Sequence, residues 1–191
     1  MAAVVVGGAY AAVKSGKSAT LDDLAYRIRR PLGHTADRVA AATTDLGSIY
    51  GIVGASTVLA VIGRRDLAAD LAGAGFTAWG TAQALKPLLP RDRPYQLEEA
   101  ARLVSEPAGT SWPSGHSSVA AAMGTVIADR TANVPGTVMG AALAGYVGMS
   151  RMYVGVHHAT DVLAGWGTGV LSAWVWQLLR RARRRASLAS F

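Results

Sequence analysis

Residues 162–185 read VLAGWGTGVLSAWVWQLLRRARRR. The run Val162–Leu179 is mostly apolar or small, and it stops at the arginine cluster Arg180–Arg185. A helix that crosses a bilayer needs about 20 mostly apolar residues, and roughly 17 are sufficient. The stretch therefore predicts a membrane-spanning helix that ends at a cationic cluster on one side of the bilayer.

The same pattern of apolar blocks separated by charged residues continues along most of the chain. The other blocks are Leu46–Gly63, Leu67–Leu85, Ser117–Ala128 and Val134–Met149. None of them alternates apolar and polar residues as a half-buried strand would, so each is predicted to be helical. The sequence thus predicts an all-α, integral-membrane helical bundle of five to six transmembrane helices, with the active site at one membrane face.

Small residues recur inside these blocks, as at Gly165 and Gly169 or at Ala144 and Gly148. In lipid, such residues let two helix backbones approach closely and pack by van der Waals contact. A single pair arises easily by chance in a chain rich in Ala and Gly. The whole set nevertheless favours a compact bundle.

The first 45 residues do not follow the block pattern. The apolar segment AAVVVGGAYAAV at residues 2–13 is too short to span, so it is either a shortened sixth span or a terminal segment. The next segment is amphipathic and predicts either an interfacial helix on the membrane or a surface helix covering the bundle. Its apolar positions are Leu21, Leu24, Ala25 and Ile28, and its basic positions before Pro31 are Arg27, Arg29 and Arg30.

The predicted division of the chain follows from these patterns. Residues 1–45 hold the short apolar block and the amphipathic helix, residues 46–180 form the transmembrane bundle, and residues 181–191 form a basic C-terminal tail. The formal net charge of +7 predicts an anionic partner, and the absence of cysteine excludes disulfides and thiolate metal sites. Because the arginines cluster at block ends, membrane lipids and an anionic substrate are predicted as partners, and nucleic acid is not.

The arginines also predict an orientation. The positive-inside tendency places the basic block ends on the cytoplasmic side, namely Arg64, Arg65, Arg130 and Arg180–Arg185. The segments Lys86–Trp112 and Ser150–Asp161 then share the opposite face. With a composition typical of a bacterial chain, this predicts a multi-pass protein of a bacterial cytoplasmic membrane whose active site lies on the extracytoplasmic face.

Three polar segments meet on that face: KPLLPRDRPY at 86–95, SWPSGHSS at 111–118 and SRMYVGVHHATD at 150–161. They supply the cations Lys86, Arg91, Arg93 and Arg151 and the histidines His116, His157 and His158. Ionisable clusters at membrane depth are functional by default, and cations with few carboxylates favour an anion such as phosphate. Ser114 and Gly115 open a predicted helix whose free N–H groups also favour an anion.

The third segment leaves open which of its histidines is reactive. Asp161 lies four residues after His157 and three after His158, and either spacing is compatible with a helix. A carboxylate that accepts the Nδ1–H of an imidazole fixes its tautomer and stabilises the positive charge that builds during nucleophilic attack.

Taken together, the segments resemble the three-part signature of the type-2 phosphatidic acid phosphatases. The matching positions, in order, are Lys86, Arg93, Pro94, Pro113–His116, Ser150, Arg151, His157 and Asp161. That superfamily also contains soluble bacterial acid phosphatases and vanadium-dependent haloperoxidases. The resemblance covers roughly Leu46–Leu179, and the chain departs from the usual six spans only in its short N-terminal block.

The resemblance implies a role for each matching residue. His157 is expected to attack phosphorus and form a phosphohistidine, with Asp161 orienting it and His116 acting as general acid and then general base. The expected phosphate-binding residues are Lys86, Arg93, Ser114, Gly115 and Arg151. His158 falls on a variable position and is expected to be a bystander, while Arg91 and Asp92 either pair with each other or tune headgroup choice.

The implied function is that of a metal-independent membrane lipid phosphatase with no cofactor and no metal site. Its substrate would be a lipid phosphomonoester or diphosphate: an isoprenoid phosphate or diphosphate such as undecaprenyl diphosphate, an isoprenoid-linked sugar phosphate, phosphatidic acid or phosphatidylglycerol phosphate. The alternatives are a non-catalytic, anion-binding membrane scaffold and a vanadate-dependent haloperoxidase, although the latter are larger soluble proteins. The sequence does not specify the oligomeric state.

Overall fold

The computed structural model describes residues 1–28, 32–97 and 101–189. Across these residues the regular structure is entirely helical, which confirms the predicted all-α class. The helices are α1 (Ala2–Lys14), α2 (Ala19–Ile28), α3 (His34–Thr43), α4 (Ile49–Val61), α5 (Arg65–Leu85), α6 (Gly115–Thr131), α7 (Val134–Tyr153) and α8 (Ala159–Ala189). Short 3-10 turns cover Thr44–Gly47, Lys86–Leu88 and Pro94–Leu97.

Helix α6 lies at the centre of the bundle and contacts α5, α7 and α8. Its side chains Val119, Ala122 and Val126 are fully buried and pack with Ile52 of α4 and with apolar residues of α5 and α8. Burying apolar surface on several sides at once is what a continuous apolar block such as this one requires. The first turn of α6 is therefore held where the ends of α5 and α7 and the start of α8 meet.

Glycines permit the close contact between these helices. A Cβ atom at Gly165 would lie 2.6 Å from the carbonyl oxygen of Ser114, and one at Gly169 would collide with the carbonyl of Ser118. At Gly148 on α7 a Cβ would collide with a tryptophan ring of α8. The prediction that small residues permit close packing is confirmed at these glycines.

Helix α4 is shorter than the block Leu46–Gly63 predicts. Ser48 interrupts the block as the N-cap of α4, because its hydroxyl accepts hydrogen bonds from the backbone N–H groups of Tyr50 (3.1 Å) and Gly51 (3.4 Å). A helix start needs such acceptors for its free N–H groups. The preceding helical segment, His34–Gly47, meets α4 at an angle of 71°.

The N-terminal helices lie against the bundle. Helix α1 packs on α8, where a Cβ atom at Gly167 would be 2.7 Å from Val6, and the ring of Tyr10 meets the ring of Trp112 edge-on at 5.7 Å between centroids. Helix α2 contacts α8 as well. Arg29, Arg30 and Pro31 lie outside the described residues, as do the side chains of Leu24, Ala25, Arg27 and Ile28, so the predicted amphipathic faces stay predictions.

By length and composition, one helix among the described residues is suited to cross a membrane, namely Ala159–Ser187. The bent pair His34–Gly47 and Ile49–Val61 would be a second if it forms one span. The first turns of helix α5 are polar, because they carry Arg65, Asp66 and Asp70. The predicted number of five to six spans stays a prediction.

The basic block ends share one end of the bundle. Arg130 of α6 and Arg180 of α8 both pair with Asp70 of α5, and Arg184 lies 3.1 Å from Asp66. The three polar segments lie at the opposite end, where α5 and α7 finish and α6 and α8 begin. The predicted separation of these two sets of residues is present in the structure.

Candidate active site

The candidate site is formed where the three polar segments meet above the first turn of α6. The backbone N–H of Ser114 donates to the carbonyl of Asp161 (3.0 Å), and Lys86 donates to the carbonyl of Thr110 (2.6 Å). Arg93 reaches the carbonyl of Val156 at 2.9 Å. Each segment is thus hydrogen-bonded to another, and most of the residues predicted for the site are brought together.

The two adjacent histidines have different surroundings. Both precede α8, which begins at Ala159, two residues later than a helix start at His157 would give. The Nδ1 atom of His157 faces Asp161 Oδ2 at 3.7 Å, whereas the ring of His158 lies 3.2 Å from the carbonyl oxygen of Asp92. The backbone N–H of His158, not its ring, donates to Asp161 Oδ2 at 2.8 Å. Only the His157 ring is therefore placed against the carboxylate in the way the motif implies.

The His157 imidazole is held neutral by burial. Only 4% of the residue is exposed, and this burial lowers its pKa to about 3 despite the opposing effect of Asp161. Its Nε2 atom lies 3.4 Å from a guanidinium nitrogen of Arg93. A neutral imidazole with Nδ1 toward a carboxylate has its lone pair on Nε2, so the ring presents a nucleophilic nitrogen beside a cation.

Arg93 and Lys86 border the same space. Arg93 is 2% exposed and donates to the carbonyl oxygens of Ala108 (3.2 Å) and Gly109 (3.1 Å). Burial, together with the positive charge of Arg93, lowers the pKa of Lys86 to about 8. Two cations held near each other and near a neutral imidazole form a site of positive potential, which attracts a phosphate group.

Arg151 is buried at the end of α7. One of its terminal nitrogens donates to Thr44 Oγ1 at 3.1 Å, and Thr44 in turn lies 2.9 Å from the Ser150 hydroxyl. Among the described residues the Nε–H of Arg151 is buried without a hydrogen-bond partner. A buried charged donor without an acceptor is costly, so an anion at this position would satisfy it.

The first turn of α6 is arranged as an N-terminus open to a ligand. The Ser114 hydroxyl is the N-cap and accepts hydrogen bonds from the N–H (3.4 Å) and the hydroxyl (2.9 Å) of Ser117. A Cβ atom at Gly115 would meet nothing within 4 Å, so the space beside its backbone is open. The free N–H groups of such a turn, with the helix dipole, favour an anion.

His116 is paired with a carboxylate that the motifs do not include. Its Nε2 atom lies 3.0 Å from Asp45 Oδ1, in the 3-10 turn that precedes α4. Ser111, also outside the motifs, is fully buried and donates to Asp161 Oδ2 at 2.6 Å. Asp45 could have been suspected from its position at the start of an apolar block, but nothing in its sequence spacing indicates contact with His116.

Arg91 does not pair with Asp92, which was one of the two expectations for it. Its guanidinium bridges Asp161 (2.7 Å) and Asp22 of α2 (2.6 Å). Asp22 lies far from the motifs in sequence, so the spacing gave no sign of this contact.

Across residues 1–28, 32–97 and 101–189, no group of three or more His, Asp or Glu side chains is arranged to hold a metal ion.

Comparison with known proteins gives a family and several relatives. The model of the PAP2 superfamily matches residues 66–185. Decaprenylphosphoryl-5-phosphoribose phosphatase of Mycolicibacterium smegmatis is 35% identical over 102 residues, which are 53% of this chain and 53% of that protein. The alignment thus spans about half the length of this curated relative.

Two solved structures resemble the whole bundle. The transmembrane PAP2-type phosphatidylglycerolphosphate phosphatase from Bacillus subtilis has a TM-score of 0.71 at 22% identity, covering 95% of this chain and 92% of that one. LpxE from Aquifex aeolicus has a TM-score of 0.70 at 26% identity, covering 83% of this chain and 93% of that one. The first match, at its low identity, shows a common fold.

Proposed function

The chain belongs to the PAP2 superfamily, as its three motifs predicted, and from that premise we propose that it is an integral-membrane lipid phosphatase. The proposal places it in a bacterial cytoplasmic membrane, with the site on the extracytoplasmic face. It keeps residues 46–180 as the catalytic bundle, with residues 1–45 lying against it and 181–191 as a basic tail. The relatives named above are phosphatases or share their fold, and this supports the proposal.

The observation that carries the proposal is the environment of His157. Its Nδ1 atom faces Asp161, its Nε2 atom faces Arg93, and burial keeps the ring unprotonated. A neutral imidazole is the nucleophilic form, and a carboxylate behind it stabilises the positive charge that attack creates. This arrangement supports attack by Nε2 on phosphorus more directly than it supports simple anion binding.

The proposed reaction has two steps. In the first, a bond forms between His157 Nε2 and phosphorus while the bond to the lipid oxygen breaks, and His116 donates a proton to that oxygen. In the second, His116 removes a proton from water, the water oxygen bonds to phosphorus, and the phosphohistidine is released as free His157 and inorganic phosphate. Asp45, which contacts His116, would hold its ring in place.

The charge of the transferred group would be held by the surrounding donors. We assign this role to Lys86, Arg93 and Arg151, together with the Ser114 hydroxyl and the Gly115 N–H. Positive groups fixed in advance around the position of the phosphoryl oxygens stabilise the transition state without reorganisation. The unpartnered Nε–H of Arg151 supports its part in this role. No metal ion or cofactor is needed for these steps.

The substrate is proposed to be a lipid that ends in a phosphomonoester or diphosphate. The candidates are isoprenoid phosphates and diphosphates, isoprenoid-linked sugar phosphates, phosphatidic acid and phosphatidylglycerol phosphate. The name of the mycobacterial relative makes a polyprenyl-linked pentose phosphate the first substrate to test.

The test is phosphate release from this panel of lipids by the purified protein in detergent, with EDTA present and with or without vanadate. We expect release from at least one lipid, unaffected by EDTA and inhibited by vanadate, because vanadate takes the geometry of the phosphoryl transition state. A strict requirement for magnesium would contradict the mechanism. If the protein releases phosphate from none of the lipids but still binds vanadate, the non-catalytic, anion-binding alternative is favoured.

A further inference from the structure

Arg91 is a largely buried cation that the proposed chemistry does not use. Its side chain is 14% exposed, and both ends of its guanidinium are occupied by carboxylates. Nη1 donates to Asp161 Oδ1 at 2.7 Å, and Nη2 donates to Asp22 Oδ2 at 2.6 Å. A guanidinium fork held at both ends has a fixed orientation, so Arg91 fixes the position of Asp161 relative to α2.

Asp22 makes a second contact with the start of α8. Its Oδ1 atom accepts from the backbone N–H of Thr160 at 3.1 Å and from the Thr160 hydroxyl at 2.9 Å. The N–H of Thr160 belongs to the first turn of α8, whose N–H groups have no partner within the helix. Asp22 therefore caps α8 from another helix, and its negative charge is favourable at that helix N-terminus.

The two oxygens of the Asp161 carboxylate have separate partners. Oδ1 is held by Arg91, while Oδ2 accepts from Ser111 and from the backbone N–H of His158 and faces His157. The gap of 3.7 Å between Oδ2 and His157 Nδ1 is longer than a hydrogen bond. A small rotation of the carboxylate thus decides whether that hydrogen bond closes as positive charge develops on the ring.

We propose that Asp22 and Arg91 form a clamp that positions Asp161 against His157, so that helix α2 sets the reactivity of the nucleophile without touching the phosphate. Both are positioning residues and act through Asp161. The proposal rests on the phosphatase function proposed above. It extends the site to a segment outside residues 66–185, the part of the chain that the family model matches.

The charges of the clamp are mutually dependent. Asp22 is 9% exposed at its side chain and Asp161 is fully buried, and Arg91 lies between them. Removing one member of a buried ionic group leaves an uncompensated charge. The loss of folding free energy is therefore larger than when an exposed ion pair is broken. Losing Asp22 frees one end of Arg91, which then no longer fixes Asp161 from α2.

The experiment compares Asp22→Asn with Asp23→Asn in steady-state and single-turnover assays on a lipid that the wild-type protein hydrolyses. Asp23 is the next residue of the same helix and is exposed, so it is a matched control. We expect Asp22→Asn to slow phosphohistidine formation and to lower kcat by about 10–100-fold, since a misplaced reacting group costs up to about 100-fold. Because Asp22 is nearly buried and also caps α8, Asp22→Asn should lower the thermal unfolding midpoint, so turnover is compared on folded protein at a temperature below the midpoints of both variants. KM and the affinity for vanadate should change little, and Asp23→Asn should resemble the wild type.

A double-mutant cycle completes the test. In an Arg91→Gln background, Asp22→Asn should cost little more, because both substitutions break the same clamp. Additive losses, equal losses in the two aspartate variants, or a rise in KM with kcat unchanged would overturn the proposal. Wild-type protein that hydrolyses no lipid would instead contradict the phosphatase function, and the two failures are therefore distinguishable.

Discussion

At His157 the decisive physical effect is burial. A histidine beside a carboxylate normally gains a higher pKa, but here the loss of hydration is larger, and the pKa falls to about 3. The ring is therefore neutral near neutral pH, and the neutral form is the nucleophilic one. In the proposed mechanism, the Asp161 carboxylate orients the ring and stabilises the positive charge that attack creates.

The adjacent histidines should respond differently to substitution. His157→Ala should lower phosphate release on the order of 10³-fold or more, because in the proposed mechanism His157 is the group that forms the covalent intermediate. His158→Ala should keep substantial activity, since the His158 contact with Asp161 is made by its backbone N–H. Phosphate release with both purified variants checks this, and an inactive His158→Ala beside an active His157→Ala would reverse the assignment.

Lys86 should give the protein an alkaline limit. Its ammonium group, with a pKa of about 8 in the free protein, is charged below that pH and neutral above it. Phosphate binding should weaken as the charge is lost, so kcat/KM should fall as pH rises through about 8, with a smaller change in kcat. In Lys86→Arg the fall should be absent, and a pH profile unchanged by this substitution would assign the limit to another group.

At the residue scale, the motifs predicted which residues would converge, but not what holds them. The residues predicted to converge do lie close together, because the motifs stand at helix ends that the packing brings to the same end of the bundle. They are His157, Asp161, Arg93, Lys86 and Arg151. Their supporting partners are residues outside the motif positions. Ser111 and Thr160 lie within the polar segments, whereas no spacing links Asp45, Thr44 and Asp22 to the motifs. Such contacts depend on the packing of whole helices, which a local pattern does not encode.

At the scale of elements, the packing of α8 on α6 depends on Gly165. A methyl group at Gly165 would press on the carbonyl of Ser114, the buried N-cap residue of α6. Gly165→Ala should therefore destabilise the protein by about 1–3 kcal/mol and disturb the first turn of α6. Gly145→Ala is the matched control, because a Cβ there meets nothing within 4 Å. Thermal unfolding in detergent measures both, and equal midpoints would show that α8 can move away freely.

Helix boundaries were less predictable than helix existence. The block Leu46–Gly63 contains a helix, but α4 begins only at Ile49 because Ser48 caps it and the chain bends before it. Apolar composition alone carries no sign of this break, whereas the serine ahead of an apolar run is an N-cap signal. Similarly, α8 begins at Ala159, so the two histidines lie in the loop before it and not on its first turn.

At the scale of the whole molecule, the two ends of the bundle are expected to face opposite sides of the membrane. The chain has no cysteine, so single cysteines can report on each end. In intact bacterial cells, a membrane-impermeant maleimide should label Ser105→Cys, which is exposed near the site, but should label Ala186→Cys only after lysis. The opposite pattern would place the site in the cytoplasm, and labelling of both in intact cells would contradict a transmembrane arrangement.

The overall architecture could be predicted because it depends on the distribution of apolar residues, whereas the number of spans could not be settled in this way. Helix α5 has charged residues in its first turns, and α7 is rich in small residues, so neither is identified as a span by length and apolar composition. Such helices can be buried in the bundle because neighbouring helices pair with their polar groups. Asp70 of α5, for example, forms ion pairs with Arg130 of α6 and Arg180 of α8.

Two carboxylates at the site, Asp22 and Asp45, belong to the part of the chain that precedes residues 66–185. In the proposed mechanism, residues 66–185 therefore contain every motif but lack two carboxylates that contact site residues. Exchanging residues 1–45 between this chain and a relative should produce chimeras whose motifs are intact and whose turnover differs. Related proteins could then differ in turnover because of substitutions in residues 1–45, although that segment contains no catalytic residue.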